Sequence, residues 1–167
     1  MLAANLLCAD GAGRSATLAG AIEAYNHSSV YVATVLVLAQ ALAANPSTPA
    51  DAASALQFAA AQLGTPYRWG GTGPGGFDCS GLTQAAYRSA GISIPRVAQS
   101  QFDAGPTVES GDVQPGDLLF YGASARSVEH VGIYVGAGEM IDAPHTGAVV
   151  REEPGDWDDF VGATRPG

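Results

Sequence analysis

The chain has 167 residues, 47% of them hydrophobic and 14% charged, and seven Lys+Arg against sixteen Asp+Glu give a formal net charge of −9. That size suits one domain with a short appendage, and the apolar fraction is enough to bury a core, which excludes global disorder. The acidic balance speaks against nucleic-acid binding, which draws its affinity from Lys and Arg on phosphates, and no apolar run reaches the ~18 residues a membrane span needs.

The first residues, MLAANLLCADGAGR, carry no basic region ahead of their apolar stretch and do not read as a secretory signal. Either the protein is cytosolic or its export signal lies upstream of this chain. Apolar residues at Ile22, Tyr25, Tyr31, Val35, Leu38 and Leu42 recur at helical spacing, which predicts helices over 15–26 and 29–43. Asn45-Pro-Ser-Thr-Pro49 interrupts them, because two prolines in five residues forbid a continuing helix. The chain therefore divides into a helical segment (1–44), a linker (45–50) and a second unit (51–167).

In that second unit, Leu56, Phe58 and Leu63 among alanines predict a helix from Asp51 to Leu63, with Gly64 just beyond its end. A loop from Gly64 to Gly76 follows, with six Gly and two Pro around Tyr67 and Trp69. Trp69 is expected to pack, while Tyr67 either anchors the loop or points its hydroxyl at a bound group. Cys79–Ala90 reads as a helix closed by Gly91, and Arg96–Ala104 as a short one. The period then changes. Asp117–Tyr121, Val128–Val135, Glu139–Ile141, Ala148–Arg151 and Phe160–Thr164 are short β-rich runs at hairpin spacing, which predict an antiparallel sheet. Helices first and strands second give the α+β class.

Two cysteines, Cys8 and Cys79, make no disulfide framework and no zinc-site spacing. Cys79 opens a predicted helix, where free backbone N–H groups favour a thiolate and can hold an oxyanion. The plain alternative is a packed, buried cysteine. His130 interrupts the apolar run Val128–Tyr134, and on alternation it shares a face with Gly132 and Tyr134, opposite Val131, Ile133 and Val135. A histidine so placed can serve a thiol as base; otherwise it is a solvated surface residue. Asp142 lies about one hairpin further on, near enough to orient an imidazole, with His145 as a rival for either role. Asp78 fits an N-cap, or a site for a substrate amine.

Four strings, Gly64-Thr-Pro-Tyr-Arg-Trp-Gly-Gly71, Phe77-Asp-Cys-Ser-Gly81, Pro115-Gly-Asp-Leu-Leu-Phe120 and Glu129-His-Val-Gly-Ile-Tyr134, resemble the NlpC-type cell-wall cysteine peptidases. They fall in the family's order across about residues 52–166. The resemblance implies a papain-like α+β fold, with N-terminal helices on an antiparallel sheet of about five or six strands. It implies hydrolysis of peptidoglycan stem peptides at the γ-D-glutamyl–diamino acid bond, with no metal or organic cofactor. It makes Cys79 the nucleophile, His130 the base and Asp142 the orienting residue, where the commoner family pattern has His. Tyr67, Asp78 and Ser80 match residues that line the pocket for the substrate's amino end.

A fainter resemblance, Ala21-Ile-Glu-Ala-Tyr-Asn-His-Ser28 with Tyr31-Val-x3-Leu36, is to the tail of lytic transglycosylase domains. Together these imply a fragment, or a truncated relative, of a two-activity wall hydrolase at the cell wall or outside the cell. Two other functions share the same groove: a silent wall-binding module, and a thiol acyltransferase that passes the acyl group to an amine or lipid.

Overall fold

The computed structural model describes residues 49–167 together with Val32, residues 35–37 and Ala39. Those five N-terminal residues are helical, and Val37, 2% exposed, joins the main hydrophobic core. The remainder of the two expected N-terminal helices, most of the transglycosylase-like segment and Cys8 lie outside the described residues.

Among the described residues from 49 on, three helices precede the sheet: α1 (Ala50–Ala61), α2 (Cys79–Ser89) and α3 (Ala98–Ala104). Alanine dominates α1 because it costs least as helix and lets neighbours approach closely. Ala55, Leu56, Ala59 and Ala60 are fully buried, and α1 packs on α2 through that face. Seven of the eleven residues of α2 are buried, since α1 covers one side of it and the sheet another. Asp78 caps it by accepting the Gly81 N–H at 2.7 Å. Its end is marked by Gly91 at φ +83°, a left-handed conformation glycine adopts without strain.

The sheet contains β1 (Thr107–Val108), β2 (Leu118–Ser124), β3 (Ser127–Gly136), β4 (Glu139–Asp142), β5 (Arg151–Pro154) and β6 (Phe160–Thr164). Its order is β1-β6-β2-β3-β4-β5 with every pair antiparallel. This is the α+β, papain-like arrangement expected, with six strands. Both faces of the sheet are covered. Leu118, Phe120, Val131, Ile133, Val135 and Ile141 pack against the helices, while Leu119, Tyr121, Met140 and Ala163 form a second cluster beneath Trp157.

One strand differs from expectation. The run Ala148–Arg151 is not paired with β4 along its length. Residues 148–150 bond instead to the loop at 64–67, through Gly64 N–H to Val150 O and Tyr67 N–H to Ala148 O, both 2.9 Å. The partner of β4 is the next segment, Arg151-Glu-Glu-Pro154, whose charges hide a sheet-edge strand from a hydrophobic pattern. The two-residue β1 is likewise too short to show a period.

Candidate active site

Cys79 is the first residue of α2, and its position is set by the glycine-rich loop before it. Asp78 donates its N–H to Gly71 O at 3.1 Å and accepts the Gly70 N–H at 2.9 Å. Gly81 comes so near Gly71 that a Cβ there would lie 2.0 Å from the Gly71 carbonyl oxygen. Loop and helix start are thus one unit, and the half-buried free thiol of Cys79 sits at its apex.

His130 meets that thiol from β3. Between Gly122 and Tyr121 the β2–β3 register shifts, so Tyr121 faces His130 while Gly122 faces Val128. The bulge lets Val128 and Val131 both face the helices and turns His130 at the bend. Gln99 of α3 accepts the Val128 N–H at 2.9 Å, which ties the bend down. The ring of His130 stacks on Trp157 with centroids 5.1 Å apart and an interplanar angle of 22°. Its Nε2 lies 2.7 Å from Oδ2 of Asp142, whose side chain is 0% exposed. That leaves Nδ1 as the ring nitrogen available to the thiol. Burial pulls the His130 pKa down, but the Asp142 hydrogen bond, the Cys79 hydrogen bond and the charges of both outweigh it and raise it to about 9. His145 is exposed, with Nδ1 3.1 Å from the Thr146 carbonyl, and lines the same groove.

At the other end of the groove Asp78 is engaged three times: by the Gly81 N–H on Oδ1, and by the Gly70 N–H and Arg96 Nη2 on Oδ2, the last at 2.6 Å. Arg96 Nη1 also donates to Ser80 Oγ at 2.9 Å. Gln101 holds this corner together, its Nε2 bonding the carbonyls of Ser80 and Pro95. Tyr67 lies beside it, its hydroxyl pKa raised by burial and by the charges of Cys79 and Asp78. Trp69 is not packed as expected: it is 85% exposed and forms part of the groove wall. A loop of glycines offers no neighbouring side chains to cover an indole.

The groove has a volume of about 1010 Å³ and holds Cys79 and His130 between the Asp78–Arg96 corner and Arg151. Arg96 and Trp157 are the site residues sequence reading missed. Arg96 follows a proline in a segment with no period, and Trp157 sits among acidic loop residues, so neither carries a pattern. Among the described residues no cluster of His, Cys, Asp and Glu is arranged to hold a metal ion, and no helix is long and apolar enough to cross a membrane.

A helix-borne thiol facing a strand-borne histidine places this molecule among papain-like α+β proteins. Residues 64–158 match the NlpC/P60 family, and the chain belongs to it. It is 43% identical over 106 residues to a probable endopeptidase of Mycobacterium tuberculosis, covering 64% of this chain and 27% of the relative. It is 45% identical over 98 residues to the gamma-D-glutamyl-L-lysine dipeptidyl-peptidase of Bacillus subtilis, covering 58% of this chain and 33% of that one. A crystal structure of an NlpC/P60 family protein from Bacillus cereus superposes with a TM-score of 0.66 at 39% identity, over 71% of this chain and 40% of that one. The chain thus spans about a third or less of these two curated relatives.

Proposed function

We propose that this protein hydrolyses peptidoglycan stem peptides at the γ-D-glutamyl–diamino acid bond by a Cys79–His130–Asp142 thiol mechanism. The observation that carries this reading is a free thiol at a helix N-terminus beside a histidine whose far nitrogen is held by a fully buried carboxylate, with thiol and histidine opening on one groove. The endopeptidase and dipeptidyl-peptidase names of the mycobacterial and Bacillus subtilis relatives support it.

In this mechanism, protonated His130 is paired with the Cys79 thiolate. Sulfur attacks the γ-D-glutamyl carbonyl, and the oxyanion is met by the Cys79 N–H at the helix start. His130 passes its proton to the departing amine, leaving a thioester. Water, deprotonated by His130, then releases the acid and regenerates the thiol. Asp142 keeps the imidazole in plane throughout. The amino end of the stem lies toward Tyr67, Asp78 and Ser80, where it shares the Asp78 carboxylate with Arg96. Such a substrate sets the protein at the wall or outside the cell, within a larger wall hydrolase of which residues 1–44 are a transglycosylase-like part and 45–50 a linker.

The test is mass spectrometry of L-Ala-γ-D-Glu-diaminopimelyl peptide after incubation with the protein. Cleavage after γ-D-Glu is expected, with none from Cys79→Ala at a nearly unchanged melting curve. Equal cleavage by Cys79→Ala would overturn the assignment. An added amine that captures the acyl group in preference to water would replace hydrolysis with transfer.

A further inference from the structure

Asp142 spends one carboxylate oxygen on His130. The other, Oδ1, is buried and has no N–H or O–H donor from the protein. On the neighbouring strand, Glu153 has the same defect. Its Oε2 pairs with Arg151 Nη2 at 2.7 Å, while its Oε1 is buried without a donor. Leaving a charged acceptor buried and unpaired is costly, and two such atoms on adjacent strands call for a common explanation.

The register supplies it. Asp142 pairs with Arg151 and Met140 with Glu153, so Asp142 and Glu153 are diagonal neighbours on one face of the sheet. Diagonal neighbours are within reach of a long side chain, and the two carboxyl groups are within hydrogen-bonding reach of each other. Two bare carboxylate oxygens repel; one proton between them satisfies both.

We infer that Glu153 is a positioning residue, protonated at Oε1 and donating to Asp142 Oδ1, so that Oδ2 stays aimed at His130. The inference rests on the proposed Cys79–His130–Asp142 assignment and extends it by a fourth member that touches no substrate. The electrostatics agree. Burial and the Asp142 charge raise the Glu153 pKa, against the pull of Arg151 on its own strand. The other groups facing this pair are His130 on β3 and the Tyr121 phenol on β2. Asp156 and Asp159, in the loop before β6, act on the same phenol.

Glu153→Gln retains a donor for Asp142 Oδ1, and Glu153→Leu has the size without the donor. With the stem peptide, Glu153→Gln is expected to keep kcat within about twofold, and Glu153→Leu to lose about tenfold or more in kcat with KM little changed. His130, followed by ring nitrogen NMR, is expected to titrate lower in Glu153→Leu only. At neutral pH, the infrared C=O stretch of a protonated carboxylic acid is expected in the wild type and absent in Glu153→Gln; this arm holds even if Glu153→Leu does not fold. Equal losses in the Gln and Leu variants, an unchanged His130 titration in Leu, or no acid band in the wild type would each overturn the inference. The NMR and infrared readings need no turnover, so failure of the peptidase reading shows separately, as a wild type that leaves the peptide intact.

Discussion

At the scale of single residues, the charge state of His130 governs the site. An ordinary histidine titrates near 6.5, and here the pKa is raised to about 9. Burial disfavours the imidazolium, yet the Asp142 carboxylate and the Cys79 sulfur together win. Since the proposed mechanism requires protonated His130, kcat/KM is expected to persist through neutral pH and fall as pH rises through about 9. The same shift enters stability. A group whose pKa is higher in the folded state stabilises fully below its unfolded value and loses that contribution as pH rises through the folded one. His130 therefore contributes below pH ~6.5 and ceases to contribute above about 9, a difference on the order of 3 kcal/mol. Urea unfolding at pH 6 and pH 9.5 should show the wild type losing more stability than His130→Gln. In Cys79→Ala, which removes two of the raising contributions, the His130 resonance is expected to titrate lower.

At the scale of elements, the join between the glycine-rich loop and α2 decides where the thiol stands. Alanine is normally preferred to glycine in a helix by roughly 1 kcal/mol. At Gly81 the sign reverses, because a Cβ would lie 2.0 Å from the Gly71 carbonyl oxygen and 2.8 Å from Asp78 Oδ1. Backbone must move, and overpacking of this kind costs about 1–3 kcal/mol or more. Gly81→Ala is thus expected to lower the melting temperature and to cost activity beyond that loss, since the displaced turn carries Cys79. A thermal melt with a kcat measurement well below the midpoint separates the two effects. Much at this scale was legible beforehand. Asp78 ahead of an apolar helical run, and Gly91 after it, mark α2 by chemistry local to the chain. β5 was displaced because edge strands carry charge rather than alternation, and the β3 bulge has no mark in sequence since it arises from pairing with β2.

At the scale of the whole molecule, a clamp closes the chain's end onto the sheet. Arg165 donates from Nε and Nη2 to the two oxygens of buried Asp117, at 2.8 and 2.9 Å, and from Nη2 to the Asp112 carbonyl. Asp117 precedes β2, and Arg165 follows β6, so the pair fastens the central strand to its neighbour. Arg165→Ala leaves Asp117 buried with only the Gln114 N–H as donor. A loss of about 2–3 kcal/mol is expected, the scale of charge-assisted hydrogen bonds to a buried carboxylate. Denaturant unfolding measures it, and active-site titration of Cys79 should remain as in the wild type.

The α+β class, the helix that begins at Cys79, the face of β3 that carries His130 and the four motif blocks of the NlpC/P60 family were all readable from the order of residues. These follow from period, capping and turn chemistry, which act between residues a few positions apart. It took the folded molecule to show that Asp142 rather than His145 meets His130, that Trp157 stacks beneath it, that Arg96 occupies the Asp78–Ser80 corner, and that Asp142 and Glu153 each bury an oxygen without a donor. Each of those contacts joins strands or loops that no local rule brings together. Their partners are chosen by strand register, by one bulge, and by what must be satisfied once water is excluded.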